Sequence, residues 1–122
     1  MKAVRISVAV LVFLLLSVVL NSLYISKLTE KFADRIQETD TEDLETASES
    51  LKRAREDFKK AEKFISITVS HDDLTNIEES FADIIGAAEA GMKVDVITIK
   101  SRLEDALRHL GRLSSINFDS II

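Results

Sequence analysis

One stretch of this chain limits its folds more than any other. Ile6 to Ile25, ISVAVLVFLLLSVVLNSLYI, is twenty residues without a charge. As a helix it is about 30 Å long, at about 1.5 Å per residue, which matches the hydrocarbon core of a bilayer. A single segment in lipid has to be helical, because only a helix pairs every backbone N–H and C=O within itself. Lys2 and Arg5 precede the stretch. That bias places the amino terminus in the cytoplasm and everything after Ile25 outside it, in the cell membrane's outer compartment. Tyr24 and Lys27 fall where interfacial anchors belong. A cleaved signal peptide carries the same charge pattern but needs small residues at its cleavage site. Around Asn21 and Ser22 the position for one is taken by Leu20. A retained anchor is therefore the expectation, with cleavage as the alternative.

Beyond the apolar run the chain changes character. All 21 acidic residues lie there, with all but two of the 16 basic ones, so that part has a formal charge of −7. This balance argues against nucleic acid or anionic lipid as the main partner. Proline is absent, so the strongest helix breaker is missing. Cysteine is absent too, which excludes disulfides, thiolate metal sites and cysteine nucleophiles.

Periodicity then sets the architecture. Leu44, Ala47, Leu51, Ala54, Phe58, Ala61 and Ile65 step alternately by three and four, one stripe on one helix face. Leu74, Ile77, Phe81, Ile84 and Ala88 repeat the pattern, as do Val96, Ile99, Leu103, Ala106, Leu110 and Leu113. Upstream, Tyr24, Leu28, Phe32 and Ile36 step by fours, so the membrane helix is expected to continue outward. The fold class is all-α: an N-terminal transmembrane helix followed by an antiparallel three-helix bundle, or a four-helix bundle if that continuation joins it. The expected segments are a cytoplasmic stub 1–5, the span 6–25, a helical stalk and linker 26–41, an extracytoplasmic bundle 42–115 and an apolar tail 116–122. Two runs, Phe64 to Val69 and Val94 to Ile99, are also rich in β-branched residues and alternate. Short strands are the alternative there. The helical stripe runs through both, and helix is the reading kept.

Local signals mark the ends. Thr39 and Glu42 have capping-box spacing, and Asp40, Glu42, Asp43 and Glu45 crowd a first turn. Gly91 stands where a C-cap should, and Asp95 is placed to cap the last helix. Glu49 with Arg53, Glu56 with Lys60, and Glu104 with Arg108 are favourable i,i+4 pairs.

Chemistry is sparse. The stretch VSHDDLTNIEE, Val69 to Glu79, holds one of only two histidines. Ser70 and Asp73 there read as a capping pair, with Asp72 and Asp73 in a first helical turn. A metal needs three or four convergent ligands, and neighbours 71, 72 and 73 diverge around a helix. No metal ligand is assigned. His109, one turn after Asp105, reads as a salt-bridged surface histidine. The three glycines, 86, 91 and 111, are isolated and make no phosphate loop. The acidic run Glu38 to Glu49 lacks the glycine of a calcium loop. No serine sits in a glycine-flanked elbow. No catalytic or cofactor-binding residue is assigned, and the chain is not expected to be an enzyme.

A basic start, one membrane helix, a helical region, HDDLTNIE and a terminal SINFDSII together resemble the bacterial single-pass membrane family catalogued as domain of unknown function 4363. The family's histidine, its acidic residue two positions on and its spaced aliphatics correspond to His71, Asp73, Leu74 and Ile77. Its apolar C-terminal end resembles Phe118, Ile121 and Ile122. Phe58 and Phe64 stand where relatives often carry tryptophan. The resemblance implies an all-helical envelope protein of Gram-positive-type bacteria, and it brings no activity, cofactor or partner. Two functional classes follow: a tethered module that binds another membrane or envelope protein, or a small-ligand sensor. Only five residues precede the span, so a sensor would have to signal through a partner. The interaction module is the preferred reading. The expected partners are the bilayer, through residues 6–25, and a second protein, with no nucleic acid.

Overall fold

The computed structural model describes residues 2–65 and 71–121, with side chains as far as residue 112. Four helices account for nearly all of them: α1 (Lys2–Gln37), α2 (Leu44–Ile65), α3 (His71–Glu89) and α4 (Lys93–Ile121). No strand occurs among the described residues. Val94 to Ile99 is helical from end to end, and Thr98 Oγ1 donates to the Val94 carbonyl at 3.0 Å. Phe64 and Ile65 close α2, while the rest of the first β-branched run lies outside the described residues.

The four helices run up, down, up and down. α1 packs on α2 and α4, and α3 packs on the same two, so the bundle closes on itself. It is a four-helix bundle rather than a three-helix one, because the outer part of α1 supplies the fourth wall. Ile25, Phe32, Ala33 and Ile36 of α1 are buried in the common core. The stalk expected over 26–41 is thus structural wall as far as Gln37.

The buried row on α1 is not the one that steps by fours. Ser22, Ile25, Thr29, Phe32 and Ile36 are buried, whereas Tyr24 is 54 % exposed and Leu28 only partly covered. Each step of four overshoots a full turn by about 40°. A stripe of fours therefore drifts off the core face, and alternate threes and fours hold to it. The other three stripes fare better. Leu51, Ala54 and Phe58 on α2, all five stripe residues on α3, and Val96, Leu103 and Leu110 on α4 are buried. Leu107, outside the predicted row, is fully buried, and Ala106 beside it is only partly so.

At the centre the Phe32 and Phe58 rings meet edge to face, 5.4 Å apart, and Phe58 meets Phe81 at 5.7 Å. Such pairs add to what burial alone contributes. Leu103 is fully buried in the same core.

Two ends differ from the local signals. The box predicted from Thr39 and Glu42 does not form. Thr39 instead closes α1: its N–H donates to Ile36 O and its buried hydroxyl to Arg35 O. Asp43 caps α2, accepting from the Thr46 N–H at 3.2 Å and the Thr46 hydroxyl at 2.7 Å. Those two bonds, the hydroxyl's first, hold the Asp43 carboxyl below its ordinary pKa. Asp95 is not the cap of α4 but sits inside its first turn, where the helix dipole still favours it. Gly91 behaves as expected. Its φ is 72°, its N–H reaches Ala88 O and the next N–H, of Met92, reaches Ala87 O. That is the Schellman arrangement, which needs a left-handed residue and so favours glycine.

Candidate functional site

The motif that the sequence singles out divides into two halves. Leu74 and Ile77 are 2 % and 1 % exposed and belong to the core. His71 is exposed at the first position of α3, and Asp73 is half-buried in the first turn with Asp72. The His71 carbonyl accepts the Thr75 hydroxyl at 2.9 Å. Half of this motif therefore holds the helix down, and half faces outward. Ser70, its expected cap, lies outside the described residues. Phe118 and Ile121 fall on the last turns of α4, with side chains outside the described part, as is Ile122.

His71 stands next to an acidic seam between α2 and α3. The Glu62 carboxyl is raised above its ordinary pKa, first by burial and then by its hydrogen bond and charge repulsion with Glu78. His71 and Lys59 pull in the opposite direction. Among the described residues, no group of three or more His, Cys, Asp or Glu side chains converges as metal ligands would.

A second cluster was not foreseen. Arg108 of α4 reaches across to α1, where Nη1 meets Glu30 at 2.6 Å and Nη2 meets Asp34 at 3.1 Å. The same guanidinium bonds Glu104 on its own helix at 3.0 Å. Hydrogen bonds that Arg108 donates to Asp34, then to Glu104, push its pKa further up. Arginine suits this place because its planar fork serves several carboxylates at once. From the sequence only the Glu104 pair was visible. Glu30 and Asp34 are 78 and 74 residues away, and only the fold brings them near. Among the described residues the Glu49–Arg53 and Glu56–Lys60 pairs do not close, and the salt bridges do not include His109, which is exposed.

The chain's other end carries the membrane signal. α1 is long and apolar enough to cross a bilayer, and none of its most apolar window is buried against the bundle. The class that emerges is an all-helical protein whose apolar N-terminal helix runs without interruption into a four-helix bundle. By sequence it belongs to the family described as Domain of unknown function (DUF4363), whose model matches residues 17–121. The match takes in the C-terminal end of the apolar segment and the whole bundle. No curated protein and no solved structure matches the chain.

Proposed function

We propose that this protein is a membrane-anchored helical module that acts by binding another membrane or envelope protein, and that it is not an enzyme. The observation that carries the reading is the continuity of α1. One helix provides both the apolar, exposed segment up to Leu20 and the buried residues Ile25, Phe32 and Ile36. An anchor built into a core in this way couples the bundle rigidly to the bilayer. Lys2 and Arg5 on the short side favour a cytoplasmic amino terminus and an extracytoplasmic bundle. At the far end of the bundle Met92, Val94 and Ile97 are 52 %, 76 % and 46 % exposed, an apolar group that supports contact with a partner.

Reporter fusions after residue 122 test the orientation, and activity only outside the cytoplasm is the expected result. Co-purification of the full chain from membranes tests the binding. A stoichiometric protein partner that is lost on Val94→Asp with Ile97→Asp supports the module. A small molecule retained without any protein partner would favour the sensor instead.

A further inference from the structure

Phe64 is the anomaly of the bundle surface. It is 65 % exposed in the last turn of α2, a helix that otherwise buries its apolar stripe and exposes charge. Lys60 precedes it by one turn and Lys63 is its neighbour, both exposed. Exposure alone decides nothing, since Val94 and Ile97 are also exposed. The place of Phe64 relative to α1 does.

α1 and α2 are antiparallel, and two contacts set their register. Phe32 touches Phe58, and Arg35 bonds Asp57 at 2.9 Å. Phe64 lies six residues beyond Phe58, roughly 9 Å further along the axis. That puts it level with residues 26–28 of α1, at the outer end of the uncharged run. The level is fixed, because Ile25, Thr29, Phe32 and Ile36 are all buried between the helices and leave α1 no freedom to slide. Tilt does not undo this. A typical tilt of about 20° shifts a neighbouring helix about 10 Å away by only about 3 Å in height.

We propose that the near end of the bundle meets the bilayer, with Phe64 in the lipid interface, Lys60 and Lys63 against anionic headgroups, and the last turns of α4, which run past Gly111 to Ile121, entering it beside α1. This rests on the reading of α1 as a membrane span. An aromatic ring flanked by long basic side chains suits that boundary, where the ring meets acyl chains and the ammonium groups reach outward to phosphate. Lys27, exposed at the same level on α1, adds to the positive rim. The opposite end is unsuited to it. Met92, Val94 and Ile97 share that end with Asp43 and Asp95, which anionic lipid would repel, whereas Glu42 and Glu89 there are paired with Lys93 and Lys52. The near end also carries the carboxylates of Glu62, Asp72 and Asp73, so the basic contact is local to Lys27, Lys60 and Lys63.

The chain has no tryptophan, so a single introduced one reports its own surroundings. Phe64→Trp, Val12→Trp and Met92→Trp would each be placed in full-length protein, in vesicles of phosphatidylcholine and phosphatidylglycerol with or without brominated acyl chains. The expected result is blue-shifted emission quenched by bromine for Val12→Trp and Phe64→Trp, and red, unquenched emission for Met92→Trp. Quenching of Val12→Trp without Phe64→Trp would overturn the inference and leave the span intact. An unquenched Val12→Trp would remove the span itself, and the inference with it. A blue-shifted but unquenched Phe64→Trp would mean that protein, not lipid, covers the ring, which also overturns it. Phe64→Trp quenching should weaken when phosphatidylglycerol is omitted. Equal quenching in neutral vesicles would remove the headgroup contact.

Discussion

Gly111→Ala should destabilise the bundle, although helix propensity alone predicts the reverse. Gly111 lies inside α4, where alanine is favoured over glycine by roughly 1 kcal/mol. A Cβ there would stand 2.6 Å from Thr29 Oγ1 on α1, far inside contact distance. Thr29 has little room to give way. It is fully buried, and its hydroxyl donates to the carbonyls of Ile25 and Ser26, each at 3.0 Å. Rotating it surrenders those bonds inside a tight interface, and moving it means parting α1 from α4 where Gly111 faces it. Overpacking of this kind costs about 1–3 kcal/mol. Set against the propensity gain, a net loss of about 1 kcal/mol is expected, and up to about 2 if the helices part. In a bundle of this size that lowers the melting temperature by roughly 4–8 °C per kcal/mol. The assay is thermal unfolding of the full chain in detergent, followed by circular dichroism. The decisive version adds Thr29→Ala. In that background the obstruction is gone, and Gly111→Ala should raise stability by roughly the propensity term. If Gly111→Ala is neutral or stabilising with Thr29 intact, α1 and α4 do not approach here and the reasoning fails.

Phe81→Ala, which removes one end of a buried aromatic row, should cost about 3–5 kcal/mol; an unmoved denaturation midpoint would place Phe81 outside the core. Glu62→Gln should stabilise the bundle near neutral pH. The raised carboxyl of Glu62 means that the folded state holds a proton the unfolded chain releases, so stability falls as pH rises from the unfolded pKa through the folded one. Melts across that acid range should show this slope in the parent and a shallower one in the variant. Arg108→Gln leaves Glu30, Asp34 and Glu104 facing one another, so its melting temperature should drop and then partly recover with added salt, and Arg108→Lys should lie between. His71→Asn should change stability modestly, with no rise in melting temperature on adding zinc to the parent protein. A zinc-induced rise would instead establish a metal site at the start of α3.

Helix was legible in the sequence wherever apolar residues kept to alternate threes and fours. Leu51, Ala54 and Phe58, then Leu74, Ile77 and Phe81, announce their own faces, because helical geometry is a local property and a stripe repeats within a few residues. The uncharged run and the glycine that ends α3 were legible for the same reason. The candidate motif was legible only as a pattern. That Leu74 and Ile77 are core while His71 faces out depends on where α2 lies. Caps were misread near Asp43 and Asp95 because every residue from Asp40 to Asp43 except Thr41 is acidic, and only the hydrogen bond to Thr46 distinguishes the cap. What tertiary structure alone decided is the pairing between helices. It turned α1 by part of a turn so that Ile25 and Thr29 replaced Tyr24 and Leu28 in the core. It set Gly111 against Thr29 and carried Glu30 and Asp34 to Arg108. A stripe says which face is buried, but the rotation and height at which two faces meet follow from side-chain shapes on both, and no single segment carries that information.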